Sequence, residues 1–154
     1  MKKNIILAIL FIMFGVFIGC TKESDKQVVK KDLVNQNPQQ VIEDYFKYMN
    51  EKNEKKLNSL YYEKISDFHS DNVEEIKLVS IKEDTTNNRT DSYLIYGPGK
   101  KQGIKKENIK AYDVTYEVKF KENIGPLTSG IHDTSFIIIR DSEDSPWLIG
   151  SQGQ

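Results

Sequence analysis

The hydrophobic period of this chain changes once, near Asp71, and that change sets the class of fold it can reach. Upstream, "NPQQVIEDYFKYMNEKN" carries Val41, Ile42, Tyr45, Phe46, Tyr48 and Met49 at helical spacing. Asn37 is placed to cap the helix, with Pro38 at its first position and Gln40 completing a capping box. Asn50 and Asn53 mark its end, and a shorter helix should follow with Leu57, Leu60, Tyr61 and Ile65 on one face.

Downstream the pattern alternates. "EEIKLVSIKED" is a strand whose irregular alternation predicts a bulge. In "IKAYDVTYEVKFKEN", Val114, Tyr116, Val118 and Phe120 face one way, while Thr115, Glu117, Lys119 and Lys121 face the other. "IHDTSFIIIRDSE" and "SPWLIGSQGQ" supply two further strands. Between the first two strands, "DTTNNRTDS" is a turn-rich connection, and "YLIYGPGKKQGIKKEN" a short apolar piece followed by a Gly/Lys loop. Helices first and strands afterwards predict an α+β domain, with N-terminal helices packed on one face of an antiparallel sheet.

The first twenty residues follow a different logic. Met1-Lys2-Lys3-Asn4 is followed by "IILAILFIMFGVFI", an apolar run over residues 5–18 without a charge. As a helix it would span about 21 Å, short of the roughly 30 Å hydrocarbon core of a bilayer. Its length, its basic start and the small residue behind it fit a secretory signal peptide. The run closes on Phe17-Ile18-Gly19-Cys20, which holds the only cysteine in the chain. A lone cysteine makes no internal disulfide, and His69 and His132 lack the spacing of a helical metal pair.

"FIGC" resembles the lipobox of bacterial lipoproteins, with Phe17 where leucine is usual. The resemblance implies that signal peptidase II cuts between Gly19 and Cys20 and that Cys20 carries a thioether-linked diacylglyceryl group. The expected organisation is therefore a signal peptide over 1–19, an acylated cysteine and flexible tether over 20–37, and one domain over 38–154. The polar tether "TKESDKQVVKKDLVNQN" would span about 20–25 Å. The whole chain has a net charge of −1, which supplies no global attraction to nucleic acid. Without Lys2 and Lys3 the 22 basic side chains become 20 against 23 acidic ones, a net of −3. Acyl chains, rather than overall charge, would then hold the protein on the extracytoplasmic face of the cell membrane.

The stretches "PQQVIEDYFKYMNEKNEKKLNSLY", "AYDVTYEVKF" and "TSFIIIRDSEDSPWLIGSQGQ" resemble the nuclear transport factor 2-like superfamily, a cone of curved sheet closed by helices. The strand, acidic turn and Pro146-Trp147-Leu148-Ile149 ending is similar to a group of uncharacterised Gram-positive lipoproteins within it. The resemblance implies a cavity between helix and sheet, and a homodimer through the sheet face is frequent in that superfamily.

In such a cone Tyr45, Tyr61 and Tyr116 are the candidate cavity-lining residues, able either to orient a ligand or to fill the space as core. Asp113, His132 and Asp133 are the acid/base candidates near strands, and no carboxylate–tyrosine pair can be placed on matching positions, so no catalytic residue is assigned. "GPGKKQG" lacks the spacing of a phosphate loop and reads as a solvated loop, although its lysines could touch an anionic cell-wall polymer. No cofactor or metal is expected. The expected function is a non-catalytic binding module with a protein or cell-envelope partner. The alternative is an isomerase- or dehydratase-type enzyme using the cone cavity.

Overall fold

A computed structural model describes residues 37–124, 126 and 128–153. The apolar run, Gly19, Cys20 and the tether up to residue 36 lie outside the described residues. Helix α1 (Pro38–Asn50) starts where its sequence predicts, with the Asn37 side chain accepting from the Gln40 N–H at 2.8 Å. The capping box is not closed: the Gln40 side chain donates forward to Asp44 Oδ1 at 3.4 Å, one turn along the helix. Val41, Ile42, Tyr45, Phe46 and Met49 are all buried along one face. A helix this short is marginal in water, so burial of that face, about 1.5–3 kcal/mol per large side chain, holds it. Helix α2 (Glu54–Ser59) is capped by Asn53 and ends before Ile65, which lies in the following loop and is exposed.

Strands β1 (Val73–Glu83), β2 (Ile109–Phe120), β3 (Gly130–Ile139) and β4 (Leu148–Gly153) form one antiparallel sheet in sequence order. The sheet is curled but open, and α1 packs on its concave face to give an α+β cone. β1 slips register twice, between Val73 and Glu75 and between Leu78 and Ser80, where the sequence alternation is irregular. Facing Tyr112 across the ladder is Phe136, and facing Phe136 in turn is Gln152. Phe136, Ile138, Val114 and Val118 thus meet α1 in the main core.

Side chains and loops cover parts of both sheet edges. On β1, Asn50 acts as a substitute strand: its Nδ2 donates to the Ile76 carbonyl at 2.6 Å, and its Oδ1 accepts from the Ile76 N–H at 2.9 Å. Lys52 Nζ donates to the neighbouring Val73 carbonyl. On β4, Ile149 donates to Leu60 O at 2.7 Å and accepts from Tyr62 N at 2.9 Å, so the segment after α2 extends the sheet as an isolated parallel bridge. Backbone groups that would otherwise template edge pairing are thereby satisfied at these points.

The connection between β1 and β2 departs from the sequence expectation. It holds two helices, α3 (Asn88–Ile95) and α4 (Gly99–Gln102), where turns and a solvated loop are expected. They occupy the opposite face of the sheet from α1. Alternation along β2 and β3 sends Ile109, Ala111, Ile137 and Ile139 to that face, where they form a second small core with Tyr93 and Ile104. Helices therefore flank the sheet on both sides. The physical cause is Tyr93, whose buried ring gives an otherwise polar segment an apolar anchor. Among the described residues no helix is long and apolar enough to cross a membrane.

Candidate functional site

At the β4 side of the concave face the aromatic side chains of α1 and the post-α2 loop converge on Gln152. Strand register puts this solvent-exposed residue on the concave side, opposite Phe136. Its Oε1 accepts from the Tyr61 hydroxyl at 2.8 Å, and its Nε2 lies 3.5 Å from the Tyr45 hydroxyl. Tyr45 meets Tyr61, Phe46 and Phe136 edge-on, with ring centroids 6.4, 5.3 and 5.4 Å away. Phe68 closes the cluster against Tyr61 at 5.6 Å. Such edge-to-face contacts add to simple burial and fix ring orientation.

Two hollows border this cluster and share Tyr45, Phe68 and Gln152 in their walls. The first, about 340 Å³, is lined by Tyr45, Tyr61, Ile65, Phe68 and Gln152, with Glu63 and Asp67 on its rim. The second, about 150 Å³, runs between α1 and the far end of β2, against Phe46, Met49 and Tyr116. The structure therefore puts Tyr45 at both hollows, Tyr61 at the first and Tyr116 at the second. Tyr116 also stacks on His132 at 5.7 Å, whose Nε2 pairs with the Thr128 carbonyl at 2.8 Å. Gln152 and Phe68 complete the site without having been singled out in the sequence.

Burial raises the Tyr45 and Tyr61 hydroxyls above the ordinary tyrosine range; at Tyr45 the Gln152 bond partly opposes it. Elsewhere in the fold, burial pushes Tyr93 and Tyr112 up to about 12. These phenols thus remain protonated donors through the physiological range. The acidic and basic side chains around the cleft, Glu63, Asp67 and His69, stand in solvent, and His69 Nδ1 lies 3.2 Å from Asp67. The site can donate and accept hydrogen bonds and offers flat apolar surface, but it brings no carboxylate into the buried aromatic cluster.

Alkaline titration tests this description. Because the folded pKa values of Tyr45, Tyr61, Tyr93 and Tyr112 are raised, their contribution to stability is full below pH 10. It is lost as pH rises past the unfolded value toward the folded ones. Phenolate absorbance from these residues should appear together with loss of the near-ultraviolet circular dichroism, above pH 10. Ionisation of all tyrosines as one group with a midpoint near pH 10, the fold staying intact, would contradict it.

A third depression, about 630 Å³, lies beside Arg89 of α3 on β2 and β3. Its charged groups are already engaged: Arg89 bonds Asp113 at 2.6 Å and lies 3.5 Å from Asp84, and Thr115 donates to Asp133 at 2.6 Å. Asp113 thus serves an ion pair on the solvent face. The Thr86 hydroxyl and backbone N–H, helped by Arg89, hold Asp84 below the usual carboxylate range. Among the described residues no group of three or more His, Cys, Asp or Glu side chains could hold a metal ion.

Fold and cleft together define a small α+β cone with an aromatic, amide-centred groove. The chain matches the domain of unknown function DUF4829 across residues 39–153 and belongs to that family. No curated protein and no solved structure matches it.

Proposed function

We propose that this protein is a lipoprotein held at the extracytoplasmic face of the cell membrane through Cys20, and that its nuclear transport factor 2-like cone is a non-catalytic binding module. Support for the anchor comes from the "FIGC" lipobox behind a charge-free run. One observation carries the binding reading: the concave space that an enzyme of this shape would use is occupied by Tyr45, Phe46, Tyr61, Phe68 and Phe136. An acid/base enzyme needs a carboxylate or histidine whose environment tunes it against a substrate. Here the buried ionisable groups are phenols, and the rim carboxylates are in water. Flat aromatic walls with a central amide suit an extended partner segment, protein or cell-envelope in origin, lying across the groove.

A photoreactive residue in place of exposed Ile65, in intact cells, tests the module. A discrete crosslinked product is expected from position 65, lost when Tyr61→Ala and Gln152→Ala are combined, and absent from a control at exposed Val79 on β1. Equal products from both positions, or none from position 65, would sink the binding reading. The anchor is tested separately: Cys20→Ala should abolish fatty-acid labelling and leave the signal peptide uncleaved.

A further inference from the structure

The end of α3 presents side chains that the fold itself does not use. Ile95 is 54% exposed, and Tyr96, which follows it, is 87% exposed. Its backbone N–H closes the helix on the Ser92 carbonyl at 2.9 Å, but neither ring contact nor side-chain hydrogen bond engages Tyr96 among the described residues. In the next nine residues Lys100, Lys101 and Lys105 are exposed and have no ion pair or side-chain hydrogen bond among the described residues. Their neighbours differ: Lys106 bonds Asp91 at 2.6 Å and Lys110 bonds Glu83 at 2.7 Å. Opposing charge in the loop is limited to exposed Glu107, while Glu63 accepts from Gln102 at 3.3 Å.

The backbone that carries these groups is fixed. Tyr93 is buried, its hydroxyl donates to Gln102 at 2.7 Å, and Gly97 and Gly99 lie directly against it. A fixed platform therefore offers one aromatic ring, one branched aliphatic side chain and three unpaired ammonium groups to solvent.

We propose that this platform docks on the anionic phospholipid surface of the membrane to which the protein is tethered. The proposal rests on the membrane-anchored reading above for the presence of that surface. Tyrosine is favoured at the lipid headgroup level, where its ring is apolar and its hydroxyl wet. Lysines beside it are attracted to anionic headgroups within a Debye length. The rest of the domain is acidic overall, so an anionic surface repels most of its outside and favours this segment. The lipid on Cys20 confines the domain near the membrane, and the platform sets which way it faces.

The test uses the full chain carrying Tyr96→Trp, reconstituted into vesicles containing brominated lipid. The native Trp147 is buried against Arg140, 4.5 Å from its ring, and serves as an internal unquenched reference. Phosphatidylglycerol-rich vesicles should quench the introduced tryptophan and shift its emission to the blue. Phosphatidylcholine vesicles, 0.5 M salt, or the further changes K100E, K101E and K105E should each abolish both signals.

Absence of quenching in anionic vesicles, equal quenching in both lipids, or quenching that survives the charge reversals would overturn the proposal. A blue shift with soluble poly(glycerol phosphate) but none with vesicles would overturn it too, and would assign the platform to a wall polymer. The apolar run over residues 5–18 keeps even unacylated chain in the vesicles. Failure of the anchor therefore shows separately, as Cys20 without an acyl mass.

Discussion

Phe136→Ala is expected to remove about 3–5 kcal/mol of stability, the usual cost of deleting a fully buried aromatic ring. For a domain of this size that is a large part of a total of roughly 5–15 kcal/mol. Phe136 is 0% exposed, and its ring lies 5.4 Å from Tyr45 and 6.3 Å from Phe46. It sits where α1 crosses β3, so the lost ring cannot be replaced by solvent without wetting the main core. Urea unfolding should give a midpoint well below the parent's with an unchanged slope, and Tm should fall by roughly 10–20 °C. Phe136→Leu, which keeps most of the volume, should cost less than about 1.5 kcal/mol. A loss under about 1 kcal/mol for the alanine variant would mean that the concave face is loosely packed. A concave face that loose would no longer support the proposed non-catalytic role of its aromatic side chains.

Much of this architecture was legible in the residues, because period is a strong signal wherever an element buries one face. The α1 stripe and the phase of Val114, Tyr116, Val118 and Phe120 both follow from spacing alone, and both are as the alternation dictates. The irregular run in β1 betrayed its bulges for the same reason. What escaped was structure held by single contacts. Helix α3 has a left-handed residue, Asn87, at its start with no side-chain cap, and its eight residues bury only Thr90 and Tyr93. No periodic stripe can be read from two positions, and the adjoining Asn, Thr and Gly residues favour turns locally. Tertiary packing on Tyr93 overrides that preference.

Gln152 was hidden for a related reason. It lies in the polar ending "SQGQ", and its place on the concave side depends on a register shift between Ile137 and Ile138 opposite Gly150. No local pattern encodes that shift. The aromatic members of the cleft could be nominated by type, but the amide that joins Tyr45 to Tyr61 required the ladder to be known. Charge behaved similarly. A net value of −3 for the chain beyond Cys20 describes the whole surface and conceals the unpaired lysines around α4, which become visible only after their neighbours are matched to partners.

Tyr93→Ala should have the second large effect, about 3–5 kcal/mol, because one ring holds the whole outer layer. Glycine backbone approaches the residue closely from two elements. A Cβ at Gly99 would lie 2.6 and 2.7 Å from the Tyr93 ring carbons, and one at Gly97 would lie 2.8 Å from its carbonyl oxygen. At Gly150 the same atom would meet the Tyr93 hydroxyl at 2.6 Å and Ile139 Cδ1 at 2.9 Å. The ring is thus clamped between α4 and β4, with Gln102 accepting from its hydroxyl. Gly99→Ala alone should cost about 1–3 kcal/mol, since the ring cannot retreat through packed backbone. In the Tyr93→Ala background the same substitution should cost almost nothing, giving a coupling of about 1–3 kcal/mol in a double-mutant cycle. Denaturant unfolding of the four proteins measures it, and simple additivity would show that the ring and Gly99 are not in contact. Hydrogen exchange adds an independent reading. In Tyr93→Ala, amides over residues 90–103 should lose protection while those of β2 and β3 facing α1 keep theirs, because the main core does not depend on this layer.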